Sequence, residues 1–213
     1  MLSKKNNSEN FTSGEEFPLV DQFYTLQGEG FHFGKAAYFL RIGGCDIGCR
    51  WCDTKLSWNP EIHPIITINQ IIENIKKSDA KDIVITGGEP LMYPMDKLCD
   101  ALHNIGIKTY LETSGAYPLS GQWDWICLSP KSQQPPLDRI YTKANELKVI
   151  IYNVEEDIKW AEKAAKKVSK ECHLYLQPEW SKRKVNTPLI VEYIKRNTKW
   201  KLSLQAHKYI NIK

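Results

Sequence analysis

Asp82-Ile83-Val84-Ile85-Thr86-Gly87-Gly88-Glu89-Pro90 is a nearly unbroken apolar run that stops at paired glycines, a carboxylate and a proline. A run without polar alternation suits a strand covered on both faces, as parallel strands are. Helical periodicity flanks it on both sides. Residues 67–77 place Ile68, Ile71, Ile72 and Ile75 on one face, and residues 94–104 carry Met95, Leu98, Cys99 and Leu102 at helical spacing. Further out, residues 37–42, 107–112, 124–128, 147–152, 174–177 and 201–205 read as strands. Residues 154–169 read as a helix along the stripe Ile158, Ala161, Ala165 and Val168, and residues 188–196 as a helix with Pro188 in its first turn. Strands joined by helical crossovers imply a parallel sheet with right-handed connections. Two connections, 114–122 and 131–145, carry Pro, Gly and Ser where a full helix is due. The expected architecture is therefore α/β, a compact incomplete (β/α) barrel with parallel strands and shortened crossovers. Residues 1–16 are expected to be a flexible N-terminal tail, and 17–213 a single domain.

Composition narrows the function. With 42% hydrophobic and 25% charged residues, the chain is globular rather than disordered. Its 29 Lys+Arg against 25 Asp+Glu leave a net charge of +4, too weak and dispersed to indicate nucleic-acid binding. No apolar run approaches the ~18 residues of a membrane span. The amino-terminal stretch MLSKKNNSENFTSGEE lacks the apolar core of a secretory signal. A cytoplasmic protein is expected, so cysteines point to metal or redox chemistry rather than disulfides.

Three of the cysteines fall together, in Cys45-Asp46-Ile47-Gly48-Cys49-Arg50-Trp51-Cys52, just after the strand 37–42 and Gly43-Gly44. Cys99, Cys127 and Cys172 stand alone in apolar settings and read as small buried hydrophobes. A structural zinc site wants four ligands, usually in C-x2-C pairs, and after this C-x3-C-x2-C pattern only His63 follows nearby, beyond a Trp-Asn-Pro turn. Three thiolates suit an iron–sulfur cube that leaves one iron open for catalysis. Nearby glycines allow a loop to wrap a cluster and to offer it backbone N–H groups.

Cys45-x3-Cys49-x2-Cys52, the aromatic Trp51 and the post-strand turn Thr86-Gly87-Gly88-Glu89-Pro90 resemble the signature of radical S-adenosylmethionine enzymes. There the open iron chelates the cofactor, which yields a 5′-deoxyadenosyl radical, and the Gly-Gly-Glu turn holds the cofactor's amino group. The resemblance narrows with Leu26-Gln27-Gly28-Glu29-Gly30, Cys52-Asp53-Thr54, Glu112-Thr113-Ser114-Gly115, Ser129-Pro130-Lys131 and Gln205-Ala206-His207-Lys208-Tyr209. In this order they resemble the 7-carboxy-7-deazaguanine synthases, from about Phe17 onward. That family contracts 6-carboxy-5,6,7,8-tetrahydropterin to 7-carboxy-7-deazaguanine with loss of ammonia, towards queuosine and related 7-deazapurines.

The resemblance implies a role for each matching residue. Cys45, Cys49 and Cys52 would hold a [4Fe-4S] cluster. Trp51, Cys52, Asp53, Gly88, Ser129, Pro130, Lys131, Gln177, Pro178, Glu179 and Trp180 would hold S-adenosylmethionine, with Ser114 a further candidate. Leu26, Gln27, Gly28, Arg41 and Thr86 would contact the pterin, as would Lys213 through the chain's carboxyl end. Thr54 would ligate Mg²⁺. The resemblance also implies a homodimer and an external electron donor.

Residue chemistry bears on several of these assignments. Arg41 in an otherwise apolar strand suits a buried carboxylate, which guanidinium binds bidentately, or else an ion pair with a loop carboxylate. Gln27 offers donor and acceptor to a heterocycle edge or serves a turn. The Thr54 hydroxyl is a neutral ligand of the kind Mg²⁺ combines with waters and substrate oxygens, or else a helix cap. His207 reads as a packed histidine on a terminal strand, and Trp58, Trp123, Trp125, Trp160 and Trp200 as core or interface. Two other readings share the cysteine spacing: an activase that installs a glycyl radical on a partner protein, and a non-catalytic iron–sulfur or zinc module. The first calls for neither the 26–30 motif nor the His207-Lys208-Tyr209 ending; the second calls for a fourth local ligand and has no need of Gly87-Gly88-Glu89. Reconstituted protein should carry about four irons per chain. Alanine at Cys45, Cys49 or Cys52 should lower that content, and alanine at Cys99, Cys127 or Cys172 should not; iron and sulfide analysis of the six variants checks both.

Overall fold

A computed structural model describes residues 13–213. Of the expected N-terminal tail, residues 1–12 lie outside the described residues, and a turn at 13–15 leads into the first strand. The strands are β1 (Glu16–Leu26), β2 (Ala36–Ile42), β3 (Ile65–Thr67), β4 (Asp82–Gly87), β5 (Lys108–Thr113), β6 (Trp125–Leu128), β7 (Glu146–Ile151), β8 (His173–Pro178) and β9 (Trp200–Leu202). They form one open sheet in the order β3-β1-β2-β4-β5-β6-β7-β8-β9. From β2 to β9 every neighbouring pair is parallel, whereas β1 runs antiparallel to both β2 and β3. The parallel, unclosed barrel is thus present, with an antiparallel margin that sequence periodicity does not reveal. The turn at Thr86-Gly87-Gly88 consequently follows the fourth strand of the chain, although it is the second of the parallel set.

The helices are α1 (Ile68–Lys76), α2 (Asp96–Asn104), α3 (Asp138–Tyr141), α4 (Val154–Ala165), α5 (Arg183–Arg196) and α6 (Ala206–Ile210). Thr67 caps α1 in a reciprocal capping box with Gln70, which fixes where that helix begins. The connection 114–122 has no helix and 131–145 holds only the single turn α3, as the short crossovers imply. Helix α5 starts at Arg183, so Pro188 lies inside it rather than in its first turn. The Thr187 hydroxyl donates to the Arg183 carbonyl at 2.6 Å beside that proline. Asn186 ties α5 to the end of β7 by donating to the carbonyls of Ile151 and Tyr152 at 3.0 Å.

Residues alternate sharply between the two faces of the sheet. Leu40, Ile42, Ile83, Ile85, Leu111, Leu128, Leu147, Val149 and Leu176 pack in the main core with Ile71, Ile75, Leu98 and Leu102 of α1 and α2. The concave face carries a smaller cluster, Ala37, Phe39, Val84 and Tyr110, flanked by Phe23 and Trp125. Above it the concave positions turn polar. Below it, the connection 27–35 closes the N-terminal ends of the strands. Phe31 stacks on His173 (4.3 Å) and Trp125 (4.8 Å), and His32 stacks on Tyr110 (4.6 Å). Lys35 reaches Asp82 at 2.9 Å and the Tyr110 hydroxyl at 2.7 Å. The C-terminal ends of the strands are therefore the end left open, which is where barrel enzymes place their sites.

Among the described residues no helix is long and apolar enough to cross a membrane. Leu98, fully buried between α2 and the sheet, should cost about 2–5 kcal/mol when replaced by alanine. Exposed Leu189 on α5 should cost less than about 0.5 kcal/mol on the same change; urea denaturation of the two variants distinguishes them.

Candidate active site

A cavity of about 370 Å³ opens at the C-terminal ends of β2, β4, β5, β7 and β8, within the size range of small-molecule sites. Cys45, Cys49 and Cys52 all line it, on the loop that leaves β2. The loop is held by its own backbone, with Gly44 N–H donating to Ser57 O (2.7 Å) and Cys45 N–H to Trp58 O (3.2 Å). From outside, the Tyr93 hydroxyl donates to Gly43 O at 2.8 Å and Tyr117 to Asp46 at 2.5 Å. Burial pushes the Cys45 thiol up to about 11 and raises Cys49 as well. Burial thus disfavours bare thiolates at these positions, a cost that a metal charge would offset. Among the described residues no three His, Cys, Asp or Glu converge on the position of one ion. That spacing is compatible with thiolates that each take a different iron of a cube. His63 bonds the Leu56 carbonyl at 2.9 Å and supplies no fourth ligand.

The Gly-Gly-Glu turn is fastened to this loop. Gly88 N–H donates to Ile42 O and Glu89 N–H to Gly44 O, both at 2.8 Å. A Cβ on Gly88 would lie 2.2 Å from the Gly44 carbonyl oxygen, so only glycine fits. Glu89 lines the cavity wall and is 1% exposed. Its carboxylate accepts from the Thr113 hydroxyl (2.5 Å), the Ser114 N–H (2.7 Å) and hydroxyl (2.5 Å), and the Leu91 N–H (3.1 Å). Ser114, which lines the cavity, therefore serves the turn as well.

Trp51, Asp53, Gly88, Ser129, Lys131, Gln177, Pro178, Glu179 and Trp180 line the same cavity, and Pro130 alone of the expected cofactor residues does not. Lys131 donates to Ser129 O (2.6 Å) and Oγ (2.8 Å), with its ammonium 5.6 Å from the centre of the Trp51 ring. Burial lowers its pKa. The Glu179 carboxylate caps the turn that follows, accepting from Ser181 and Lys182 N–H. Arg183 stacks on the Trp180 ring at 3.8 Å.

Leu26, Gln27, Gly28, Arg41, Thr54, Thr86 and Lys213 border the cavity too. Gln27 is already engaged, donating to Glu112 Oε1 and accepting from Glu29 N–H, each at 3.1 Å. Arg41 makes no ion pair among the described residues, so no loop carboxylate neutralises it. Thr54 precedes a 3-10 turn but makes no side-chain capping bond; its hydroxyl donates instead to Asp53 Oδ1 at 3.1 Å. Burial works to raise the Asp53 pKa, but hydrogen bonds from Lys208 (2.6 Å) and Gln205 (3.0 Å) and the Lys208 charge bring it down to about 2. Lys213 pairs with Asp21 at 3.1 Å.

Sequence reasoning passed over several residues on the cavity wall. His207 belongs to α6, not to a strand, and packs against Gly28, whose Cβ would lie 2.3 Å from its Nδ1. Trp58 lines the cavity rather than the core. Glu29, Glu112, Lys148 and Gln205 form its floor. Lys148 carried a legible signal, a charged residue in an apolar strand, of the kind that singled out Arg41.

A family model for the radical SAM superfamily matches residues 40–128. The chain is 54% identical to the 7-carboxy-7-deazaguanine synthase of Flavobacterium psychrophilum, over 93% of this chain and 94% of that one. It is 47% identical to that of Synechocystis sp. over 92% and 94%. The crystal structure of QueE from Escherichia coli superposes with a TM-score of 0.80 at 29% identity, covering 95% of this chain and 100% of that one. Because a methyl group at Gly88 meets the Gly44 carbonyl, Gly88→Ala should displace the cysteine loop. Iron retained under a chelator should fall well below that of the parent; parental retention would show that the loop tolerates the added Cβ.

Proposed function

The chain belongs to the 7-carboxy-7-deazaguanine synthase family of radical SAM enzymes, and on that premise we propose that it converts 6-carboxy-5,6,7,8-tetrahydropterin to 7-carboxy-7-deazaguanine with release of ammonia. The observation that carries this reading is one cavity shared by the Cys45, Cys49 and Cys52 thiols and an Arg41 guanidinium that has no carboxylate partner among the described residues. A [4Fe-4S] cluster and S-adenosylmethionine, when bound, supply the one-electron chemistry that starts ring contraction by hydrogen-atom abstraction.

The chain's own residues bind, orient and shield. Cys45, Cys49 and Cys52 would hold the cluster. The Gly88 backbone, the Ser129–Lys131 pair and the wall of Gln177, Pro178, Glu179 and Trp180 would hold the cofactor beside it. Arg41 would take the pterin carboxylate in a bidentate pair, with Thr86, its register partner on β4, alongside. Leu26, Gln27 and Gly28 would border the ring system, and Lys213 would bring the chain's carboxyl end near it. Holding the pterin against the cofactor in one fixed pose is where the protein lowers the barrier. The Thr54 hydroxyl, free of a capping role, would join a magnesium ion that also binds substrate oxygens. Its bond to Asp53 would keep it turned toward the cavity.

We further read residues 17–213 as one radical SAM domain that works in the cytoplasm as a homodimer, fed by an external electron donor. All six cysteines are free, in keeping with a reducing compartment. Anaerobically reconstituted protein should form 5′-deoxyadenosine faster with the carboxypterin than without it, and should release ammonia with the deazaguanine. Thr54→Ala should keep slow cofactor cleavage but lose the stimulation of product formation by magnesium. Titrating magnesium at saturating pterin checks this, and a full magnesium response in the variant would remove Thr54 from the metal site.

A further inference from the structure

Lys148 lies in the middle of β7, and its flanking residues Leu147 and Val149 are fully buried against the helices. Alternation turns its own side chain to the concave face, where the residue is 4% exposed. A buried ammonium is costly unless it is paired and hydrogen-bonded. Here Nζ lies 2.6 Å from Glu29 Oε2 and 3.6 Å from Glu112 Oε1. Each carboxylate is also held from its other side. Gln205 donates to Glu29 Oε1 (3.0 Å), Gln27 to Glu112 Oε1 (3.1 Å) and the Thr86 hydroxyl to Glu112 Oε2 (3.4 Å). The result is a cross-brace over the cavity floor from the 27–35 connection through β7 to β5. Glu112 is its most open member, with its side chain 24% exposed.

We propose that Lys148 is a positioning residue, which through Glu29 and Glu112 keeps the cavity floor an ionised, fixed acceptor and so selects a ligand edge rich in N–H donors. The bicyclic pterin has such an edge in its aminopyrimidinone ring, so the proposal rests on the function proposed above. Burial works against ionisation of Glu29, and the charge and hydrogen bond of Lys148 reverse that, holding its pKa below the ordinary value. The other groups that sense Lys148 are Cys127 on β6, Glu112 on β5, Glu146 on β7, Lys131 beyond β6 and His207 on α6. Of these carboxylates only Glu29 and Glu112 lie within 4 Å of the Lys148 ammonium, at 2.6 and 3.6 Å, so they are the ones it balances directly.

The test compares steady-state kinetics with the carboxypterin, from about pH 6 to 8.5, in the reconstituted parent, in Lys148→Met and in Lys148→Met/Glu29→Gln. Lys148→Met should raise the pterin KM by about tenfold or more, the scale of one lost charged interaction, with a smaller change in kcat. Its KM should also gain a pH dependence beyond the parent's, because burial without the ammonium pushes the Glu29 carboxylate pKa upward. The double variant replaces both partners by neutral groups of similar shape, so its thermal stability should return toward the parent while its KM stays high. A parental KM and parental pH profile in Lys148→Met overturns the proposal. So does a double variant whose KM recovers together with its stability, which would make the lysine a structural counter-charge only. A parent that binds cofactor but never consumes the pterin would overturn the proposed function instead.

Discussion

A single buried carboxylate holds the working end of this barrel together. Glu89 accepts four hydrogen bonds from Leu91, Thr113 and Ser114 while its own N–H reaches back to Gly44. Through that one residue the turn after β4, the end of β5 and the start of the cysteine loop become one rigid unit. Charge-assisted bonds of this kind are strong where water is excluded, and the donors they satisfy would otherwise be orphaned. Cysteines on a loop that depended on its own backbone alone would have no fixed position relative to the strands. Gly88 makes the approach possible, because the Gly44 carbonyl occupies the space a side chain would need.

Two economies share one sheet. On its convex side, aliphatic residues of alternating strand positions merge with the helices into a dry core. On its concave side the same strands carry Arg41, Thr86, Glu112, Lys148 and Gln177. These polar groups are tolerable because most of them satisfy one another, as Lys148 does with Glu29 and Gln177 with Ser203. Among the described residues Arg41 stands outside that mutual satisfaction. A protein that leaves a guanidinium unbalanced in its own cavity has the means to recruit an anion there.

Much of this was legible in the sequence, for identifiable reasons. The isoleucine stripe of α1 has strong helical periodicity and β4 an unbroken apolar run ended by paired glycines, and both elements lie where those patterns predict. β1 escaped because Pro18, Asp21 and a register shift between Leu19 and Asp21 interrupt its alternation; such irregularity is tolerated near a sheet margin. The first turn of α5 escaped because Arg183–Thr187 lacks an apolar stripe, its hold on the barrel coming from the polar Asn186. In the site, motif residues converge on one cavity because they flank strand ends that the parallel topology gathers. The floor did not emerge in the same way: Glu29, Lys148 and Gln205 come from distant segments, and only the fold shows that the Glu29 carboxylate takes both the Lys148 ammonium and the Gln205 amide.

That distance has a bearing on when the enzyme becomes competent. Gln205 meets Glu29 across 176 positions of sequence, and Lys208 meets Asp53 across 155. Contacts so remote close loops of high entropic cost and form late in folding. During synthesis the cysteine loop and the 27–35 connection leave the ribosome many seconds before the segment that completes their surroundings, at about 5–20 residues per second. For that interval Asp53, next to Cys52, lacks both of its partners from the carboxyl-terminal segment, and this corner of the site is complete only once Gln205 and Lys208 arrive.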